Sequence, residues 1–258
     1  MKKYFIVTDV HSFYDEMMTA LTDAGYDAAN PGHVFVSLGD LFDRGKKPRE
    51  CLDFVNSIPE DRKILIRGNH EDLLEDALRR HGFLSYDYHN RTDETVNILY
   101  STEHLDSEDV TPDFDKCEWL MRWEPYKQYI GTTQYYAIVG NYVFVHGWIP
   151  WEANKIEELE NANREEWKSA TWRNGMKSWH LYGPLENYII MCGHFHTSYG
   201  HSRYHNEGVE FINPREDYAA LGIENPYEKF DPFIDNGIIA LDACTAYSGK
   251  VNCYVIEV

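Results

Sequence analysis

The chain has 258 residues, 43% of them hydrophobic and 15% aromatic, and carries a formal net charge of −19. That composition is enough to fill a core and excludes a disordered polyelectrolyte. The acidic balance excludes long DNA or RNA as a partner, because phosphate-backbone binding needs a basic surface; small phosphorylated substrates stay open, since bound cations invert the local field.

The opening MKKYFIVTDV reads as a first strand, YFIVTD (4–9), rather than a signal peptide, because its apolar run is short. Ser12 is placed to cap a helix over 13–24 that ends at Gly25. HVFVSLGD (33–40) is a second strand, and Pro48 opens a helix that carries Cys51, Leu52, Phe54 and Val55. KILIRG (63–68) is a third strand and HEDLLEDALRR (70–80) a third helix. Asp9, Asp40 and Asn69 follow the three strands at intervals of 31 and 29 residues, each about one βαβ repeat. Such units lay strands parallel, with their carboxyl ends along one edge where ligands of α/β sheets collect. The spacing alone therefore converges these three side chains.

Residues 83–134 break the pattern, with 11 Asp and Glu against four Lys and Arg, and with Trp119, Trp123, Tyr126 and Tyr129 near the end. They read as a helical insert, either a surface elaboration or a cap over the site. YYAIV and YVFVH (135–146) form a hairpin through Gly140 and Asn141 that ends on His146. An acidic helix follows at about 152–170, and YIIMCGH (188–194) is a strand ending on His194. GIIALDA (237–243) and VNCYVIEV (251–258) are expected to close as a pair around Ser248 and Gly249. The ligand candidates run along most of the chain, so one domain over 1–258 is expected. No apolar run reaches the roughly 18 residues of a membrane span. The five cysteines are odd in number and form no CxxC pair, which reads as reduced thiols in a cytoplasmic protein.

The chemistry-bearing residues sit in short blocks: Asp9-Val10-His11, GDLFDRG (39–45), RGNHE (67–71), VHG (145–147), Trp172-Arg173, GHFH (193–196) and Leu241-Asp242. Hard divalent cations take oxygen and imidazole ligands, and Asp9, His11, Asp40, Asn69, His146, His194 and His196 supply them. Asp40 lies between the other two strand-end ligands and is the candidate bridge between two metals about 3.5–4 Å apart. His70 follows Asn69 directly and suits a general acid, oriented and raised in pKa by Asp43. Arg44 offers a planar fork for phosphate oxygens. Arg67 reads as structural support, and His201 and His205 as loop residues.

In order and spelling this set resembles the calcineurin-like metallophosphoesterase superfamily. GDxxDRG and GNHE resemble its phosphoprotein phosphatase branch, which also holds small bacterial and phage enzymes and the symmetrical diadenosine tetraphosphate hydrolases. The resemblance implies two stacked mixed β-sheets flanked by helices, an α/β/β/α sandwich. It implies Asp9 and His11 on one metal, and Asn69, His146 and His194 on the other, with manganese the expected pair and iron or zinc the alternatives. A bridging hydroxide would then attack the phosphorus in line. It makes Arg44 and Arg173 phosphate ligands. Three positions depart from the branch: Ser12 replaces a glycine, Trp148 follows VHG and is placed to line the pocket, and GHFH has a second histidine. Generic members use such a histidine on the first metal, which gives His196 its role. The expected activity is a phosphomonoesterase of the Ser/Thr phosphoprotein phosphatase type, acting on a phosphorylated small molecule or phosphoprotein. The alternative is a dinucleoside polyphosphate hydrolase or phosphodiesterase, whose base-stacking pocket the insert's aromatics could supply.

Overall fold

Buried apolar runs alternating with amphipathic helices build the first half of the molecule, whose computed structural model describes residues 1–104, 111–150, 156–212 and 227–258. β1 (Lys3–Val7), α1 (Tyr14–Asp23), β2 (His33–Ser37), α2 (Pro48–Ser57), β3 (Lys63–Ile66) and α3 (Asn69–Arg80) follow in turn. Pro48 opens α2 where its missing N–H costs nothing. Expected strand and helix boundaries hold to within a few residues. Ser12 does not cap α1: it sits at φ 59° with its hydroxyl unpartnered, and Phe13 takes the cap position. Ser12 works through its backbone instead, its N–H donating to Leu41 O and its carbonyl accepting from Lys47 N.

The insert is helical, with α4 (Ser85–Asn90), α5 (Thr92–Glu103), α6 (Asp113–Arg122) and α7 (Glu124–Thr132); its residues 105–110 lie outside those described. α5 and α7 pack on α2, and α6 on α3, while Tyr126 and Tyr129 enter the same apolar cluster as Phe5, Phe35 and Leu52. The insert is thus part of the helical layer over the first sheet.

β4 (Thr133–Gln134) ends the first sheet, and β5 (Tyr136–Val139) and β6 (Tyr142–Val145) form the expected hairpin. Of the acidic helix expected at about 152–170, residues 152–155 lie outside those described. The remainder splits into a short 3-10 turn and α8 (Arg164–Thr171), because Asn163 accepts from the Glu165 and Glu166 amides and starts a new helix. α9 (Gly175–Tyr182), β7 (Ile189–Cys192) and α10 (Ser198–Gly200) follow, then β8 (Phe233–Asp235), β9 (Ile238–Ala240), α11 (Thr245–Ser248) and β10 (Tyr254–Glu257).

The strands form two five-stranded mixed sheets, ordered β10-β1-β2-β3-β4 and β5-β6-β7-β9-β8. Successive side chains on a strand face opposite ways, and the core follows that rule. Ile6, Val36, Phe144, Met191 and Ile239 meet between the sheets. Phe5, Val7 and Phe35 face the helices of the first half, and Val143, Val145 and Ile190 face Trp167 and Met176 of α8 and α9. This is the α/β/β/α sandwich. Both sheet faces are covered, which is why the strands read as continuous apolar runs.

The closing pair is a correction. β9 and β10 do not pair: β9 lies between β7 and β8 in the second sheet, and β10 runs antiparallel to β1 in the first. The residues between them carry Asp242 and α11 and cross from one sheet to the other, and Gly249 at φ 65° ends that helix rather than a hairpin turn. Within each sheet the strands that bear functional residues, β1-β2-β3 and β6-β7-β9, are mutually parallel. Their carboxyl ends open onto one cleft.

Candidate active site

Five of those six parallel strands deliver a ligand-type residue just past their ends: Asp9 after β1, Asp40 after β2, Asn69 after β3, His146 after β6 and His194 after β7. The turns are tight. Asp9, His11, Ser12, Asp40, Asp43, Arg44 and His194 all take φ between 48° and 71°, a left-handed conformation that costs a non-glycine residue about 1–2 kcal/mol. Such strain concentrates where side chains must be aimed. Two glycines let the carboxylates in. A Cβ on Gly68 would stand 2.1 Å from Asp40 Oδ1, and one on Gly193 would stand 2.2 Å from Asp9 Oδ2.

Asp40 Oδ1 accepts the His70 amide at 3.0 Å, and Oδ2 faces His146 Nε2 at 3.3 Å and His11 and His70 Nε2 at 3.9 Å. Asp9 Oδ2 accepts the Thr8 hydroxyl and the His194 amide, at 2.6 and 2.9 Å. His11 Nδ1 lies 2.8 Å from Phe42 O, and His146 Nδ1 lies 2.8 Å from Leu38 O. Donating to those carbonyls fixes both tautomers and turns bare Nε2 lone pairs into the site. His146 Nε2 then meets Asn69 Oδ1, a second acceptor, at 2.9 Å. Two acceptors so close suit a shared cation. Asp40, His146 and His194 bring ligand atoms within 4.8 Å of one another, as do His11, Asp40 and His70. These oxygen and imidazole donors fit divalent metals of the kind this chemistry uses.

The field says the same. Burial raises the Asp9 carboxyl, while Asp40, although burial opposes it, is held well below the carboxylate range by His146 and His70. Burial lowers the His146 imidazole, but Asp40 outweighs it and pushes the group up to about 10. The carboxylates thus demand positive charge at this spot. Burial drops His194 to about 3 and His11 well below its usual range, so both are neutral, as ligands must be. Asp242, on the cleft wall past β9, is raised by burial and then by Asp9.

His70 stands apart from the ligands. Its Nδ1 is 2.7 Å from Asp43 Oδ2, and although burial opposes it, Asp40 and Asp43 raise its pKa. Asp43 thus occupies Nδ1, which leaves Nε2 as the nitrogen beside Arg44 at the cleft. Asp43 is fully buried and accepts the hydroxyls of Thr92 and Thr95, both from the insert. Arg44 is exposed at the cleft, its Nη2 is 3.5 Å from His70 Nε2, and it forms no ion pair among the described residues.

The cleft, about 330 Å³, is lined by Asp9, His11, Asp40, Asn69, His70 and His194, and by Arg44, His196 and Asp242. Arg173 is not on its wall; the neighbouring Trp172 is, half-exposed with its ring 5.8 Å from that of His194. His196 lines the cleft but falls outside both ligand groups, with Nδ1 2.9 Å from the Ser198 hydroxyl and its ring against Phe195 and Phe211. Trp148 is buried in the core behind β6, not in the pocket. The insert's aromatics are also elsewhere: Trp119 and Trp123 stack on each other at 4.9 Å, away from the cleft. Arg67 is structural, paired with Asp72 and Glu75.

Sequence reading missed one group that organises the rest. Glu71, the glutamate of GNHE, is 1% exposed; its Oε2 accepts the Gly68 and Asp40 amides at 2.8 and 2.9 Å. Its Oε1 accepts the Leu41 amide and the Tyr129 hydroxyl, at 2.9 and 2.8 Å. The signal was its place in the third position of a helix, where a glutamate reaches back to the cap.

With this geometry in place, comparison with known proteins is decisive about the family. The calcineurin-like phosphoesterase model matches residues 2–220, and the chain belongs to that family of hydrolases. The asymmetrical bis(5'-nucleosyl)-tetraphosphatase of Bacillus subtilis is 38% identical over 74 residues, 26% of this chain and 30% of that protein. Serine/threonine-protein phosphatase 1 of Salmonella typhimurium is 33% identical over 73 residues, 28% of this chain and 32% of that protein. The match spans less than a third of either relative. A mutant cold-active protein tyrosine phosphatase shares the fold, with a TM-score of 0.53 at 16% identity over all of this chain and 76% of that one.

Replacing Glu71 by Ala orphans three buried amides, each worth about 1–3 kcal/mol, and should lower unfolding stability by at least about 3 kcal/mol in urea titrations. Glu71→Gln should recover less than half of that, because its amide N–H₂ would face a backbone N–H. A full recovery would show that shape, not acceptor capacity, holds the loops.

Proposed function

We propose that this chain is a two-metal phosphatase acting on phosphomonoesters in the manner of the Ser/Thr phosphoprotein phosphatases. The observation that carries the reading is the His70–Asp43 pair at 2.7 Å, set between Asp40 and Arg44 in the cleft. Asp9, His11 and Asp40 would hold one cation and Asp40, Asn69, His146 and His194 the other, with Asp40 shared and manganese the expected metal. Such cations, when bound, neutralise phosphate charge and make water acidic enough to attack near neutral pH.

The protein's own groups do the rest. Arg44 takes two phosphate oxygens in its fork, with no carboxylate among the described residues competing for it. As the attacking oxygen adds and the ester P–O bond breaks, His70 gives its proton to the leaving alkoxide, which departs as an alcohol. Asp43 stabilises the charged form of His70 before transfer, and Thr92 and Thr95 keep that carboxylate in place. Asp242 adds a carboxyl to the wall near Asp9.

A second reading, hydrolysis of dinucleoside polyphosphates, is favoured by Trp172. This half-exposed ring beside His194, with Phe195 and Phe211 also lining the cleft, offers stacking surface for a base. Metal-stripped protein reloaded with manganese and assayed on p-nitrophenyl phosphate, a phosphopeptide and diadenosine tetraphosphate separates the two readings.

Asp40→Asn should abolish turnover and lower bound metal measured by mass spectrometry, because one charge faces both ligand groups. Two tightly held metals and normal turnover in that variant would sink the shared-ligand role. His70→Asn should cut kcat roughly 10²–10⁴-fold on alkyl phosphates while sparing metal content. The loss should shrink for p-nitrophenyl phosphate, whose leaving group needs no proton; an equal loss on both would remove His70 as the acid. Trp172→Ala should raise KM for diadenosine tetraphosphate about 5–100-fold, the worth of one stacked base. A matching rise with p-nitrophenyl phosphate would mean that the ring shapes the cleft and does not read a base.

A further inference from the structure

After α10 the chain makes a π-helical turn, His201–His205, and Asn206 then takes φ 55°. The Glu207 amide donates back to His201 O at 2.9 Å, which folds Glu207 over the turn. His201, His205 and Glu207 thereby bring one ligand atom each to within 4.8 Å of one another. None of them lines the catalytic cleft.

The hydrogen bonds around this trio prepare the imidazoles as ligands. His201 is 3% exposed, and its Nε2 lies 3.0 Å from Asp231 O. Donating there leaves Nδ1 as a bare lone pair, and Nδ1 is buried with no hydrogen-bond partner. It stands 3.4 Å from a Glu207 carboxylate oxygen, which is another acceptor. His205 Nε2 lies 3.0 Å from Asp235 Oδ2, the carboxylate–imidazole pairing that fixes a ligand's tautomer and orientation. Phe233 floors the site, with its ring 5.6 Å from that of His201 and 4.5 Å from that of His205.

We propose that His201, His205 and Glu207 form a second, separate site for a zinc-class divalent cation. Two imidazoles and a carboxylate are a zinc donor set, with solvent free to complete a tetrahedron; magnesium or calcium would require more oxygens. Among the described residues the competitor in place is Lys229, whose ammonium pairs with Glu207. The site braces the segment that leads out of GHFH to the loop and strand β8 that carry Asp231, Asp235 and Phe233. That segment forms a cleft wall, where the Phe211 amide donates to the Ser198 hydroxyl at 2.9 Å. The cation here would be structural, remote from the reacting phosphate.

The test is zinc counting on the whole protein. Wild type, His205→Gln and Glu207→Gln are saturated with zinc, dialysed, and measured by mass spectrometry, with circular dichroism confirming the fold. Each variant should hold one zinc fewer per chain than wild type. Equal zinc in all three would overturn the site and leave ordinary ion pairs. Should either variant misfold, Lys229→Met decides: it removes the competitor without touching a ligand and should tighten this zinc about two- to fivefold, the worth of an exposed ion pair. Unchanged affinity in that variant would overturn the proposal as well.

Discussion

One carboxylate holds the catalytic geometry in register. Glu71 collects the amides of Gly68, Asp40 and Leu41 and the hydroxyl of Tyr129, so the ends of β2 and β3, the start of α3 and the insert's last helix meet on two oxygen atoms. Without it, the Asp40 amide would lose its acceptor in a loop held at φ 55°, and less would offset the left-handed strain. With it, the Asp40 side chain is aimed at three imidazoles at once. Buried amides must find acceptors, and here the acceptor is a charged one, about twice as strong as a neutral partner.

A second constraint follows from charge. Asp9, Asp40 and Asp242 crowd one cleft in a chain whose formal charge is already −19. Burial alone would neutralise them with protons; what keeps Asp40 ionised is the ring of histidines. His11 and His194 are neutral, His146 and His70 raised, and each state has a local cause in a carbonyl, a carboxylate or simple desolvation. Asp40 therefore faces His146 on one hand and the neighbouring His11 and His70 rings on the other.

Much of this was legible in the chain. Strand-end ligands at intervals of about thirty residues encode a parallel sheet, and the tight spelling around glycines reflects the lack of room beside Asp40 and Asp9. What stayed hidden depends on contacts between distant segments. Thr92 and Thr95 look like ordinary helix residues until α5 is packed on α2, which sets their hydroxyls on Asp43. Trp148 and Trp172 cannot be told apart by sequence, yet one is core and the other cleft wall. The partners of β9 and β10 were misjudged because nearness in sequence favours a hairpin. The free edge of β1 and the parallel neighbour β7 compete with that pairing, and they win.

The division of the ligand-type residues between the two sheets has its own consequence for how the molecule assembles. Asp9, Asp40 and Asn69 belong to one sheet and His146 and His194 to the other, and they meet only across the seam lined by Ile6, Phe144 and Met191. The group of His11, Asp40 and His70 comes from the first sheet alone, whereas the group of Asp40, His146 and His194 needs both. A ligand held by the second group would bind only the docked pair of sheets and so favour the docked state over its halves. Filling that group would therefore clamp the seam between the sheets.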